Sequence, residues 1–101
     1  IRSGTPDAMA KAFDLFKRSG AHNFTEAQFA AGWCCEHGCG TKRNYPQAIR
    51  WYKRAAEAGS DAAMSRLAGI YEADKHYKEA ARWYRRYAAE RIRWRNQRLN
   101  W

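Results

Sequence analysis

Ala48-Ile49-Arg50-Trp51-Tyr52-Lys53-Arg54-Ala55-Ala56 is answered 32 residues later by Ala80-Ala81-Arg82-Trp83-Tyr84-Arg85-Arg86-Tyr87-Ala88. A phrase returning at this period, with a Trp-Tyr pair inside it, marks a helical-repeat protein, because each repeat buries its apolar face only by stacking on the next. Function is then to be sought on a surface rather than in an active site. A fainter copy lies 36 residues upstream, where Ala12 falls on Ala48, Phe13 on Ile49, Leu15 on Trp51 and Phe16 on Tyr52. The same shift sets Ala27 on Ala63, Ala31 on Leu67, Cys35 on Tyr71 and Glu36 on Glu72. Four residues are therefore lost where His37–Asn44 gives way to Ala73–His76, which reads as a connection rather than a helix.

Helix signals agree with the period. Thr5-Pro6-Asp7 offers a hydroxyl cap, a first-turn proline and an early carboxylate. The stripe Ala8, Ala12, Leu15, Phe16 then runs to Gly20, read here as a helix end. Thr25-Glu26-Ala27-Gln28 has the capping-box pattern ahead of a second helix that Gly38 and Gly40 close. Asn44 caps a third, with Pro46 in its first turn and Gly59 after it. Ser60 opens a fourth to about Ala73, and a fifth starts near His76 with no breaker before Trp101. Five helices with short turns and no strand candidate predict an all-α chain, an α/α solenoid of antiparallel pairs. Ala27, Ala31, Gly32, Ala48, Ala55, Ala56, Ala63, Ala68, Ala80 and Ala88 are expected to let helices approach closely. Trp51, Tyr52, Trp83 and Tyr84 are expected to fill the space between repeats, with both tryptophans buried at equivalent places.

On these residues the chain resembles the SEL-like repeat (SLR) family, relatives of the tetratricopeptide solenoids. Residues 27–59 carry its pattern at Ala27, Gly32, Gly38, Gly40, Ala48, Trp51, Tyr52, Ala55, Ala56 and Gly59. They depart from it at Ala31, Cys35, Thr41, Asn44 and Arg54. The next copy keeps Ala63, Leu67, Tyr71, Ala80, Trp83 and Tyr84 without the two-glycine turn. The organisation expected is a single helical-repeat domain over 1–101: a half repeat 5–24, repeats 25–59 and 60–89, and a basic Arg/Trp-rich extension 90–101. The resemblance implies a non-enzymatic protein-binding scaffold, with the matching residues serving structure.

Cys34, Cys35, His37 and Cys39 crowd six residues, but their spacing fits no standard zinc pattern, and Cys35 stands at the family's tyrosine position. A Cys35–Cys39 or Cys34–Cys39 disulfide would leave one thiol over. Reduced cysteines, no metal and no cofactor are the expectation, with Cys35 packed inward. His22, His37 and His76 are scattered, and no serine lies in a strand–turn–helix elbow, so no catalytic residue is assigned. No 18-residue apolar run offers a membrane span. The chain opens on isoleucine and so reads as a processed, trimmed or incompletely assigned chain.

Charge is uneven. Residues 1–81 carry a net +3, whereas residues 82–101 hold seven arginines against Glu90 alone, a net +6. Arginine makes bidentate contacts with carboxylate or phosphate and stacks on flat rings, so this segment is read as facing a specific anionic surface. On a helix Trp83, Tyr87, Trp94 and Trp101 share one side. Arg91, Arg93, Trp94, Arg95, Arg98 and Trp101 are therefore the candidate partner-binding residues. The partners expected are protein subunits of a larger intracellular assembly, for which the basic balance points to the mitochondrion. Arginines interleaved with aromatics also leave open an RNA-binding role in an organellar ribosome or other ribonucleoprotein.

Overall fold

The computed structural model describes residues 4–99, with side chains from Asp7 to Arg95 except Trp94. Five helices follow in order: α1 Gly4–Ala21, α2 Thr25–His37, α3 Tyr45–Glu57, α4 Asp61–Ala73 and α5 Tyr77–Leu99. No strand occurs among the described residues. The fold is the expected all-α solenoid, in which each helix packs chiefly on its sequence neighbours.

The two period lengths have a structural cause. Helices α2 and α4 begin and end 36 residues apart, whereas the starts of α3 and α5 differ by 32. Seven residues join α2 to α3 and three join α4 to α5. Both connections are closed by an equivalent backbone bond at 2.8 Å, Asn44 N–H to the Cys35 carbonyl and His76 N–H to the Tyr71 carbonyl. The missing residues are thus absorbed inside a fixed frame, and the following helix starts from the same place.

Local chemistry sets most of the helix ends. The Asn44 side chain accepts from Gln47 N–H at 3.1 Å, and Ser60 Oγ accepts from Ala63 N–H at 3.2 Å. Each satisfies an orphan donor of the first turn. Gly38 closes α2 in the left-handed conformation, at φ +75°. Two readings are corrected. Thr25 does not cap α2: the cap position is Phe24, with no side-chain hydrogen bond, because a turn through Asn23 at φ +68° delivers the chain one residue earlier. Gly20 does not end α1 but sits within its last turn. It is needed for close approach, since a Cβ there would stand 2.8 Å from Trp51 Cζ3.

The core runs along the stack from Phe13 through Ala31, Cys35, Ala48, Tyr52, Ala55, Ala56, Ala63, Met64, Leu67 and Ala68 to Trp83. The alanine stripe behaves as expected except at Ala88, which is exposed although its repeat mate Ala56 is buried. The aromatic pairs do not behave alike. Tyr52 is fully buried while Tyr84 is 41% exposed. Trp83 is buried but Trp51 only half so. Among the described residues, Tyr52 lies between two repeats and Tyr84 has one on a single side. Trp51 faces α1, the end helix of the stack, with Arg54 over its ring at 5.1 Å.

Candidate interaction surface

α4 and α5 run antiparallel, registered by two polar contacts. Tyr84 Oη donates to Glu72 Oε1 at 2.9 Å near one end, and Arg91 Nη1 lies 3.5 Å from Asp61 Oδ2 near the other. α4 begins at Asp61, so α5 beyond Arg91 has no α4 opposite it. Residues 92–99 extend roughly 12 Å further, at about 1.5 Å per residue. α3 gives no cover there, because it stops at Glu57, the repeat mate of Ala89. Ile92 is 54% exposed, and Arg93 and Arg95 are exposed beside it.

The arginines divide by partner. Arg86 lies over the Trp83 ring at 4.8 Å, and Arg91 lies 6.0 Å from the Tyr87 ring while pairing with Asp61. Arg93 pairs with Glu90 at 3.5 Å, one turn back. These pairs are solvent-exposed and add little to stability. Trp83 and Tyr87 pack on the core, so the shared aromatic side predicted for α5 begins as core. The side chains of Trp94 and Arg98, and all of Trp101, lie outside the described residues.

The residues of the repeat pattern differ in burial. Ala27, Gly32, Ala48, Ala55, Ala63, Leu67 and Ala80 are buried, and Tyr71 is half-buried against the core. Gly32 lets the Tyr52 ring close on α2, because a Cβ there would meet Tyr52 Cδ1 at 2.8 Å. Gly40, at φ +73°, brings the α2–α3 loop so close to α1 that a Cβ would collide with the Met9 backbone. Trp51 is half-buried and Tyr84 exposed.

A polar cluster joins the first complete pair to the second. Tyr52 Oη donates to Glu36 Oε1 at 2.7 Å, and Arg66 of α4 reaches the same oxygen through Nε at 3.3 Å and Nη2 at 3.2 Å. Arg66 Nη2 also lies 3.0 Å from His37 Nε2, and His37 Nδ1 lies 3.0 Å from the Trp33 carbonyl. The carbonyl can only accept, so this geometry sets the tautomer with the proton on Nδ1 and Nε2 facing the guanidinium. Burial, reinforced by the Glu36 carboxylate, pushes the Tyr52 phenol well above the usual tyrosine range. Sequence reading missed this cluster, although the recurrence of Glu36-to-Tyr52 as Glu72-to-Tyr84 carried its signal.

Cys34 and Cys35 are buried on α2, Cys39 is half-buried in the loop after it, and all three thiols are free. His37 is engaged with Trp33 and Arg66 instead. Among the described residues no three His, Cys, Asp or Glu side chains converge as metal ligands would, and no helix is long and apolar enough to cross a membrane. Burial pushes both Cys34 and Cys35 above the usual thiol range. Alkylation of the native chain is therefore expected at Cys39 first, with Cys34 and Cys35 labelled mainly after unfolding. Peptide mass spectrometry of timed, quenched samples checks this, and equal rates at all three would contradict it.

Residues 25–60 match the Sel1 repeat family. The chain has the fold of the SEL-like repeat solenoids. It superimposes with a TM-score of 0.75, at 32% identity, on a Sel1 repeat protein from Oxalobacter formigenes, covering 80% of this chain and 35% of that one. A protective antigen of uropathogenic Escherichia coli displaying an SLR fold gives a TM-score of 0.72 at 28% identity, covering 77% of this chain and 18% of that one. In sequence it is 39% identical over 62 residues to the chitin synthase regulator SKT5 of Malassezia restricta, 61% of this chain and 4% of that protein. It is 37% identical over 64 residues to the DAP3-binding cell death enhancer 1 of Rattus norvegicus, 63% of this chain and 13% of that protein. The chain thus spans a small part of each relative.

Proposed function

We propose that the chain is a non-enzymatic protein–protein interaction scaffold, an accessory subunit or adaptor, and that it docks in a larger assembly through the last turns of α5. The overhang of α5 carries this reading: a helix end with exposed arginines and Ile92, held away from the rest of the stack. Two relatives are named for acting on or binding other proteins, one as a regulator and one for binding DAP3, which supports an adaptor role. Arg91 and Arg93 already engage carboxylates, the groups a protein partner would offer in their place. An intracellular and mitochondrial setting belongs to the same proposal, on the net charge of +9 and the three free thiols.

Truncation after Glu90 is the test. It removes Arg91, Arg93, Trp94, Arg95, Arg98 and Trp101 but leaves the helix pairs; among the described residues it costs the Arg91 contacts with Asp61 and the Tyr87 ring and the Arg93–Glu90 pair. Helicity by circular dichroism should fall only by the deleted turns, while co-sedimentation with the native assembly is lost. With a protein partner, Trp94→Ala or Trp101→Ala alone should weaken docking by about 2 kcal/mol, since a few buried aromatic anchors dominate such interfaces. A log–log salt slope near about −3, from four phosphate contacts at about −0.7 each, would instead establish RNA as the partner. Full retention by the truncated chain would return α5 to a capping role.

A further inference from the structure

Glu72 and Tyr84 stand at the end of the stack as Glu36 and Tyr52 stand inside it. The phenol donates to the carboxylate at 2.9 Å in the first pair and 2.7 Å in the second. Inside the stack a third group completes the arrangement: Arg66, from the helix that follows, puts two guanidinium nitrogens on the same oxygen. At the end of the stack Glu72 is exposed and, among the described residues, its carboxylate is bonded to Tyr84 alone. Ala88 is exposed there as well, although Ala56, its mate inside the stack, is covered.

The chain does not turn a helix back onto this face where the repeat would have it do so. α3 ends at Glu57, and Ala58-Gly59-Ser60 reverses direction with Gly59 at φ +105°. The equivalent residues Glu90, Arg91 and Ile92 stay helical, and α5 runs on to Leu99. With arginine in the glycine's place, the left-handed turn is disfavoured.

We propose that this end face is a docking site for an α-helix of another protein chain, carrying an arginine that joins Glu72 and Tyr84 as Arg66 joins Glu36 and Tyr52. The inference rests on the scaffold reading but concerns a surface separate from the α5 overhang. The chemistry specifies the occupant. Arg66 applies Nε and Nη2 to one carboxylate oxygen, a planar fork that lysine lacks. It is flanked by Ala63 and Leu67, both fully buried, so the incoming helix needs a small residue three before its arginine and an aliphatic one directly after it. The carboxylate supplies the charge complementarity, and the small exposed Ala88 allows close approach.

The probe is a fluorescent, hydrocarbon-stapled peptide copying residues 60–75 of this chain, titrated by anisotropy against the full chain. Saturable binding is expected. Arg66→Ala in the peptide should weaken it at least about tenfold, as loss of a charged hydrogen bond does. Glu72→Gln in the chain should do the same, and the two together should cost little more than either alone. Arg66→Lys in the peptide should not restore binding. Glu72 is exposed, so Glu72→Gln should keep the parent circular dichroism spectrum. Absence of binding would overturn the proposal. So would binding indifferent to Glu72→Gln, which would place the peptide in the apolar groove of about 430 Å³ between α1 and α2, lined by Phe16, Phe29 and Trp33. There Phe16 replaces the tyrosine and offers no phenol. The chain ending at Glu90 should bind the peptide as the full chain does, so that failure of docking by the overhang is read separately.

Discussion

Tyr52→Ala is expected to destabilise the fold by about 3–5 kcal/mol, the range for deleting a buried aromatic ring. The ring is fully buried, sits 5.5 Å from Phe29 between centroids, and rests on Gly32. Its removal would open a cavity at the junction of α2, α3 and α4 and leave Glu36, half-buried, without its phenol donor. Domains of this size hold roughly 5–15 kcal/mol in all, so the variant should lie close to the unfolding threshold. Tyr84→Ala is the internal control. It occupies the same place in the repeat and makes the same bond, but it is 41% exposed and should cost about 1 kcal/mol or less. Urea denaturation followed by circular dichroism measures both. Equal losses would mean that position in the repeat, rather than position in the stack, decides what the tyrosine contributes.

Gly40→Ala is expected to cost about 2–4 kcal/mol through two separate effects. The residue adopts φ +73°, where a Cβ is penalised by about 1–2 kcal/mol. The new Cβ would also run into the Met9 backbone of α1, and no rotamer change can relieve a backbone collision. Such overpacking costs a further 1–3 kcal/mol or so. Two control glycines separate these effects. Gly59 has φ +105° with nothing near it, so Gly59→Ala should show the conformational penalty alone. Gly69 lies within α4 with open space beside it, and Gly69→Ala should be neutral or stabilising by up to about 1 kcal/mol. Thermal melts of the three variants would rank them Gly40 worst, Gly59 intermediate and Gly69 best. Any other order would refute the assignment of Gly40 to close packing.

How much was legible depends on how local the cause was. The caps at Asn44 and Ser60 could be read because a short polar side chain finds its donor three residues ahead, whatever the tertiary fold. Thr25 misled because its cap depends on where α1 releases the chain, and Asn23 takes the left-handed turn that decides this. Gly20 was readable as a breaker but not as a seat for Trp51, which is 31 residues away and arrives only through packing. Arg91 and Arg93 read in the sequence as facing an anionic partner, and folding gives each an acidic partner within the chain.

By itself the sequence determined the helices, their antiparallel pairing and the repeat, because periodic apolar residues with glycine and capping signals at fixed offsets act locally and recur. Tertiary structure alone decided which of two identical positions is core and which is surface. Tyr52 and Tyr84 share their neighbours in sequence and their hydrogen bond in space, yet a repeat on each side buries one and a repeat on a single side leaves the other open. In a solenoid, burial comes from the neighbouring repeat, and a residue's own repeat does not encode whether that neighbour is present.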